Sequence, residues 1–365
     1  ENATYLRDAW MRETMLGLGH LASRNQHVHL YINGLYWGIY NPIERLDTSF
    51  FANHVGGYEK DWDIVKDRAV DNTAELQDGL AADWTNLIAQ VNLGINSEVA
   101  FQAVADQVDL DNLIDYMLLH AFAEANDWLQ DSNPHNWYGA HRRANATNGL
   151  PATKWIFLPW DQEIILNRQR SDDRVNVSAD SRPSRIYAKL RNWPEFRRMY
   201  ADRVQQHLFN TGALAPTNNI ARMQALAAQI DRAIVGESAR WGDSREFNIA
   251  YPGGTNMGTG LTLTRDNAWL PELQKLYTNW FPNVMNQRLI ARLQATNLFP
   301  TIAAPLSLIK ARGNPRFCSI RSSATLTFCT LSPTSGAVPS NEGISLRTSS
   351  TSSRSVNPAR YLSAR

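Results

Sequence analysis

Hydrophobic and polar positions follow two different periods in the first half of the chain. Residues 27–40 (HVHLYINGLYWGIY) form two β-rich runs around an Asn-Gly dipeptide, which favours a tight hairpin turn. A further short strand is predicted at residues 62–66. Apolar residues recur at helical spacing in residues 5–22 and, most strongly, in residues 109–125. This half is therefore predicted to combine strands with helices.

The second half of the chain begins with another predicted hairpin and then becomes mostly helical. The hairpin strands are predicted at residues 136–143 and 154–158, on either side of a polar loop. Helices are then predicted at residues 195–209, 217–236 and 280–296, with a glycine-rich loop at 253–260. Strands first and helices later indicate an α+β fold with two lobes, strand-rich at the N-terminal end and helical at the C-terminal end.

Composition and charge narrow the class of protein. The 365 residues are 43% hydrophobic and 19% charged, a balance typical of a globular chain with a sizeable core. No apolar run approaches the roughly 18 residues of a membrane span, so no membrane-spanning segment is expected. The formal net charge is +1, and residues 301–365 alone carry +7, which leaves −6 for residues 1–300. Because the core is mildly acidic, nucleic acid is not expected as a partner.

The last part of the chain differs in character from the rest. Residues 305–365 are rich in Ser and Thr, basic and without apolar periodicity, which predicts either a disordered tail or a product of a frameshifted reading. Both cysteines, Cys318 and Cys329, lie there, which excludes a disulfide framework or a cysteine zinc site in residues 1–304. We expect residues 1–304 to form one domain whose N-terminus is truncated, because no initiator Met or signal peptide precedes it.

Polar side chains cluster where the strongest helix ends and where the second hairpin begins and ends. Residues 126–138 (NDWLQDSNPHNWY) include Asp127 and Asn136, and Asp161 follows the last hairpin strand. Antiparallel strands would place Asn136 and Asp161 at the same end, with Asp127 beside them. Such oxygen ligands suit Mg²⁺. The alternative is that these residues are helix caps and turn formers, and Glu163 is either a second ligand or a solvent-facing residue.

Two residues of the N-terminal half suit a phosphate-bearing ligand. Lys66 ends a predicted apolar strand, where its ammonium group could present a fixed positive charge to phosphates. Gly38 lies in a predicted strand, where the missing side chain would allow close approach of a ligand. A conventional glycine-rich phosphate loop is absent from this region.

Three motifs in order along the chain resemble a known family. Residues 30–45 (LYINGLYWGIYNPIER), 62–66 (WDIVK) and 160–163 (WDQE) are similar to signatures of the CotH (spore coat protein H) kinase family, in the variant found in large bacterial multidomain surface proteins. The resemblance spans roughly residues 4–304. It implies a two-lobed, degenerate protein-kinase-like fold that binds ATP with Mg²⁺ (or Mn²⁺) and phosphorylates protein serine or threonine hydroxyls.

The resemblance also implies roles for individual residues. Asp127 matches the catalytic aspartate, Asn136 and Asp161 match the metal ligands, and Lys66 matches the nucleotide-binding lysine. In ordinary kinases the catalytic aspartate precedes the metal-binding asparagine by five residues, a spacing that Asp131 satisfies and Asp127 does not. Asp127 is preferred because an Asn-Asp pair at the end of a helix is the context that resembles the family.

Two other functions remain open from the sequence. The first is a catalytically silent surface or adhesin module that keeps the fold, which the 12 Trp residues and a multidomain parent would suit. The second is a carbohydrate-binding or carbohydrate-processing domain, in which Glu124 and Asp127 would form a carboxylate pair.

For the kinase we expect a protein substrate with Ser or Thr, a larger multidomain parent chain and an extracytoplasmic or cell-surface location.

Overall fold

The chain divides into two compact units, residues 1–301 and 302–365. The computed structural model describes residues 4–66, 74–125, 127–128, 136–144, 149–166, 174–178, 182–246, 249–251, 254–256, 260–301, 318–322 and 325–329. In the second unit the described residues form one antiparallel hairpin, whose strands are Cys318–Ser322 and Thr325–Cys329.

The first unit contains eight strands and eleven α-helices among its described residues. The strands are β1 (Val28–Ile32), β2 (Leu35–Tyr40), β3 (Trp62–Lys66), β4 (Glu75–Asp78), β5 (Trp137–Arg142), β6 (Ile156–Pro159), β7 (Ile249–Tyr251) and β8 (Gly254–Asn256). The helices are α1 (Arg7–Gly17), α2 (Thr48–Val55), α3 (Ala82–Asn92), α4 (Glu98–Ala105), α5 (Leu110–Ala123), α6 (Pro183–Leu190), α7 (Pro194–Leu208), α8 (Pro216–Ile230), α9 (Ala233–Trp241), α10 (Leu270–Lys275) and α11 (Met285–Ala295). The expected α+β class, with strands early and helices late, is confirmed.

The central sheet is antiparallel, with the strand order β4-β3-β5-β6. Lys66 at the end of β3 pairs with Tyr138, and Tyr138 pairs in turn with Leu158. Trp137 at the start of β5 pairs with Pro159 at the end of β6. The end of β3, the start of β5 and the end of β6 therefore lie at one edge of the sheet.

The predicted Asn-Gly hairpin is confirmed as β1 and β2, which pair with each other in a separate two-stranded sheet. Asn33 and Gly34 have φ angles of 52° and 81°, the positive values that a two-residue type I′ turn requires. Glu237 of α9 fixes the hairpin, because its Oε2 accepts a hydrogen bond of 2.6 Å from the Ile39 amide. A Cβ atom at Gly38 would lie 2.8 Å from that same oxygen, so Gly38 makes room for Glu237.

Two of the predicted C-terminal helices differ from the observed ones. The helix predicted at residues 217–236 is interrupted after Ile230 and continues as α9, and Asp231 at the break accepts hydrogen bonds from Arg265. The first five residues of the helix predicted at 280–296 belong to a π-helical stretch, Leu276–Val284, which contains Pro282, and α11 begins only at Met285. Proline lacks the amide hydrogen of a regular helix, which explains the wider turn there.

Helix α5 is the centre of the core. Every residue of α5 except Asp111 is buried, and the helix packs against α1, α6, α7, α11 and β6. It begins at the cap residue Asp109, whose side chain accepts a hydrogen bond from the Asn112 amide. It ends at Glu124, whose left-handed backbone (φ 47°) redirects the chain. No helix of the described residues is long and apolar enough to cross a membrane.

A buried carboxylate joins α5 to α7 and to the segment after α1. Asp115 is fully buried, and the Arg203 guanidinium binds both of its oxygens. The Nε2 atoms of His20 and His207 lie 2.7 and 3.2 Å from its Oδ2. Burial alone would raise the pKa of Asp115, but the hydrogen bonds from these histidines and from Arg203 outweigh it and hold the pKa well below its usual range.

Replacing this carboxylate should destabilise the fold. Asp115→Asn removes the closest counter-charge of the Arg203 guanidinium, and breaking a buried pair in this way typically costs about 3 kcal/mol or more of unfolding free energy. Urea denaturation of the variant and the wild type measures the difference. Asp202→Asn, on the exposed face of α7 next to Arg203, is the control and should change the midpoint little. Equal midpoints for Asp115→Asn and wild type would contradict a structural role for this cluster.

Candidate functional site

Three of the predicted site residues lie at one edge of the central sheet. Lys66 is the last residue of β3, Asn136 immediately precedes β5, and Asp161 follows β6 by two residues. Because Lys66 pairs with Tyr138 on the neighbouring strand, Lys66 and Asn136 are offset by two residues along the strand direction. At the usual rise per residue this offset is about 7 Å. The sheet register therefore brings one cation and two oxygen-bearing side chains to a common edge.

Asn136 and Asp161 share an unusual backbone conformation. Their φ angles are 66° and 56°, in the left-handed region where Asn and Asp are the commonest residues with a side chain. Such conformations cost on the order of 1 kcal/mol each and cluster at functional sites. Asn136 immediately precedes the last pair of the β5–β6 ladder and Asp161 follows it by two residues, so each turns the chain sharply at the sheet edge.

Asp127 is directly connected to Asn136. The Asn136 Nδ2 atom donates a hydrogen bond of 2.8 Å to the Asp127 carbonyl oxygen and lies 3.3 Å from the carboxylate Oδ2. Asn136 is 5% exposed and Asp127 is half-buried. Since the amide nitrogen faces Asp127, Oδ1 is the atom with which Asn136 would bind a metal ion.

The residue after Asp127 anchors this turn on the core. The Trp128 ring is fully buried, and its Nε1 donates a hydrogen bond of 2.8 Å to the Tyr116 hydroxyl of α5. The same ring stacks on His120, with 4.1 Å between the ring centroids and 16° between the planes. The position of Asp127 therefore depends on aromatic packing against the last turns of α5.

A second carboxyl group lies against Asp161. Glu163 forms a side-chain hydrogen bond with Asp161, and partial burial together with the neighbouring charges of Asp161 and Asp8 raises the pKa of Glu163 to about 7. Carboxylates this close repel each other when both are ionised, and a divalent cation would relieve the repulsion. Glu163 is exposed, as a solvent-facing residue would be, and its contact with Asp161 also suits a second oxygen ligand, so both roles left open for Glu163 stay predictions.

Lys66 is held beside the site by a carboxylate and an aromatic ring. Its Nζ lies 3.7 Å from Oε1 of Glu75, its partner on β4, and 6.0 Å from the centre of the Tyr138 ring. The side chain is 22% exposed, so the ammonium group can reach a ligand at the sheet edge.

Other candidates from the sequence have different positions. Glu124 is buried and lies 3.4 and 3.3 Å from the Nη1 atoms of Arg288 and Arg292, which argues against an accessible carbohydrate-processing pair with Asp127. Asp131, the alternative catalytic residue, lies outside the described residues. Two residues that the sequence analysis missed are Gln162 and Asp8, which contact the backbone around Asn136 and Asp161.

One further group of described residues has side chains close enough to hold a metal ion. Asp63 of β3, Asp83 of α3 and His141 of β5 offer ligand atoms within 4.8 Å of one another. However, Oδ1 of Asp63 already accepts hydrogen bonds from the Arg143 guanidinium and, at 2.5 Å, from the Leu80 amide. The cluster lies at the opposite end of β3 from Lys66. The ion pairs within this cluster connect α3 to the central sheet, which explains why the three side chains lie close together.

Comparison with known protein families decides the relationship of the chain. The model of the CotH kinase protein family matches residues 1–290. The chain belongs to the CotH kinase family. The three motifs that resemble CotH kinases and the residues Lys66, Asp127, Asn136 and Asp161 lie within this range. No curated protein matches this CotH-family chain.

The buried histidine beneath Trp128 predicts a specific pH dependence. Burial lowers the pKa of His120 to about 3, so in the folded state its ring stays neutral over a range in which the unfolded chain, with the ordinary pKa of about 6.5, binds a proton. Stability linked to this group is therefore lost as the pH falls below about 6.5. His120→Phe keeps an aromatic ring and removes this proton linkage.

Between pH 6.5 and 5 the wild type should lose roughly 1.5 kcal/mol more unfolding free energy than His120→Phe. Chemical denaturation of both proteins at the two pH values measures this difference. Groups that titrate identically in the two proteins cancel in the comparison. Parallel losses in wild type and variant would show that His120 is accessible to protons in the folded state.

Proposed function

We propose that this CotH-family chain is an atypical protein kinase that transfers the γ-phosphoryl group of ATP to serine or threonine hydroxyls of a protein. The metal ion in this proposal is Mg²⁺ (or Mn²⁺). The observation that carries the proposal is the register of the central sheet, which assembles Lys66, Asn136 and Asp161 at one edge, with Asp127 hydrogen-bonded to Asn136. Family membership supports the same reaction class.

The donor set at the sheet edge fits a hard divalent cation. Asp161 and Glu163 offer carboxylate oxygens and Asn136 offers an amide oxygen, the ligand types that Mg²⁺ and Mn²⁺ take from proteins. Partial burial is the main cause of the raised pKa of Glu163, and the neighbouring charges of Asp161 and Asp8, which a cation would compensate, add to it. When bound, the metal ion would neutralise negative charge on the ATP phosphates.

Each of the other residues has a separate task in this proposal. Asp161 and Asn136 would hold the metal ion, and the Lys66 ammonium group would balance charge on the phosphates. Asp127 orients the attacking hydroxyl and accepts its proton as the new oxygen–phosphorus bond forms and the bond between the γ-phosphorus and the β–γ bridging oxygen breaks. Because phosphoryl transfer depends mainly on positioning and charge stabilisation, these few groups suffice.

An exposed surface favours a second function. Five large hydrophobic residues of the β1–β2 hairpin are more than a third exposed: Val28, Tyr31, Ile32, Leu35 and Tyr40. Exposed apolar residues concentrated in this way are typical of interaction surfaces. A catalytically silent surface or adhesin module would use such a hairpin.

In either case we propose that the chain works outside the cytoplasm or at the cell surface, within a larger multidomain protein, with residues 305–365 outside the kinase domain.

Binding of Mg-ATP separates the two functions. If the site binds it, ligand at about 100 times the dissociation constant should stabilise the fold by about 2.7 kcal/mol and raise the melting temperature by several degrees. A thermal shift measured with Mg-ATP, and with ATP plus a chelator as control, tests this. An unchanged melting temperature at millimolar Mg-ATP would favour the silent module.

Substitutions of the three aspartates should have distinguishable effects. Asp161→Ala should abolish both Mg-dependent nucleotide binding and phosphoryl transfer, because the metal loses its charged ligand. Asp127→Asn should keep nucleotide binding and reduce turnover by roughly 10²- to 10⁴-fold, the usual effect of losing a general base. Asp131→Asn should behave like wild type. Radioactive phosphate transfer and nucleotide titration measure the two properties.

The opposite pattern for Asp127→Asn and Asp131→Asn would assign the catalytic role to Asp131. Wild-type turnover in all three variants, in an assay where the wild type is active, would place the site elsewhere in the chain.

A further inference from the structure

Gln162 lies between Asp161 and Glu163 in the chain and is itself buried. It is 2% exposed, and its side-chain nitrogen donates hydrogen bonds to the Trp160 carbonyl (2.8 Å) and the Asn136 carbonyl (3.2 Å). The first carbonyl belongs to the residue before Asp161, and the second belongs to Asn136 itself. One amide group therefore connects the backbones of both proposed metal ligands.

The sheet itself cannot make this connection. The β5–β6 ladder ends at the Trp137–Pro159 pair, beyond which Asn136 and Asp161 have left-handed backbones. Buried carbonyl groups past this point need donors from elsewhere, because an unpaired buried carbonyl is costly. The two hydrogens of the Gln162 side-chain amide supply them, and so replace ladder hydrogen bonds where the strands diverge.

The backbone of Gln162 is held from the other side by α1. Its amide donates a hydrogen bond of 2.9 Å to Oδ1 of Asp8, in the first turn of that helix. The other carboxylate oxygen of Asp8 pairs with the buried guanidinium of Arg12, one helical turn later. Because Arg12 orients the Asp8 carboxylate, the peptide that follows Asp161 is attached to a rigid element.

We propose that Asp8 and Gln162 are positioning residues that hold Asn136 and Asp161 in the geometry required to bind the metal ion, an inference that rests on the proposed function. The hydrogen bonds run from Asp8 to Gln162, then to Asn136, and from the Asn136 side chain to Asp127. Loss of the Gln162 amide removes the connection between both ligands at once. Metal-dependent nucleotide binding then weakens although every ligand is still present.

A matched pair of glutamine substitutions tests the proposal. Gln107 also donates two side-chain hydrogen bonds, to Gln90 Oε1 (2.6 Å) and the Ala103 carbonyl (2.8 Å), but it lies by the opposite end of β6, where its carbonyl accepts from the Trp155 amide. Gln162→Met and Gln107→Met therefore remove the same chemistry at the two ends of one strand. In the full chain, both should unfold at somewhat lower urea concentration than wild type.

Only Gln162→Met should weaken binding of Mg-ATP, by about tenfold or more in Kd, which corresponds to about 1.4 kcal/mol. Nucleotide titration at saturating Mg²⁺, and Mg²⁺ titration at fixed nucleotide, measure this. Gln107→Met should bind like wild type. A folded Gln162→Met variant whose Kd values lie within twofold of wild type would overturn the proposal, as would equal losses of affinity in both variants.

Substitutions of Asp8 provide a second test that does not require nucleotide binding. Asp8→Ala removes the acceptor for the Gln162 amide, whereas Asp8→Asn keeps an oxygen in the same position. Hydrogen–deuterium exchange of the ligand-free chain, followed at the Gln162 amide, should become at least tenfold faster in Asp8→Ala and stay closer to wild type in Asp8→Asn. Exchange at the wild-type rate in Asp8→Ala would refute the attachment to α1.

The two failures are distinguishable. If the wild type shows no Mg-dependent nucleotide binding, the proposed function fails, and the exchange experiment still decides whether Asp8 holds Gln162. If the wild type and Gln107→Met bind Mg-ATP and Asp161→Ala does not, a normal Gln162→Met variant rejects the positioning role alone.

Discussion

The antiparallel pairing of β5 with its two neighbours is the constraint on which the proposed site depends. In a ladder, the position of one residue determines the position of its partner across the strand, and a shift by one residue would turn every side chain to the other face. The observed pairing of Tyr138 with Lys66 and with Leu158 therefore determines which ends of β3, β5 and β6 coincide. Burial of Trp137 and Leu158 makes any other register costly.

Helix α5 determines the position of Asp127, the second part of the site. It does so because it is a buried, rigid element, and not because its own polar side chains enter the site. The helix is surrounded by packing partners, and Asp115 adds a charged connection to α7. Tyr116 and His120 of this helix position Trp128, and Trp128 in turn positions Asp127 beside Asn136. The catalytic aspartate of the proposal therefore reaches the sheet edge from the core, while the proposed metal ligands reach it from the strands.

Local signals in the sequence predicted a large part of this arrangement. The Asn-Gly turn identified β1 and β2, and the apolar periodicity identified α5 to within two residues at each end. The antiparallel pairing expected of a hairpin predicts that Asn136 and Asp161 lie at the same end. Contacts between distant segments had no such signal: Asp8 with Gln162 and Gly38 with Glu237 join residues far apart in the chain, and neither pair follows a periodic pattern. The break between α8 and α9 was missed because apolar spacing continues across it.

The hydrogen bond between Asp8 and Gln162 spans 154 residues of chain. Closing so long a loop carries an entropic cost that local hairpins avoid, so contacts of this kind tend to form late in folding. The β5–β6 hairpin can pair while α1 is still undocked, and at that stage the turn after β6 has no anchor. Docking of the first helix on the last strand of the sheet would then be the event that completes the site to which we assign nucleotide binding. Such an order would delay the proposed use of ATP until the core around α5 is complete.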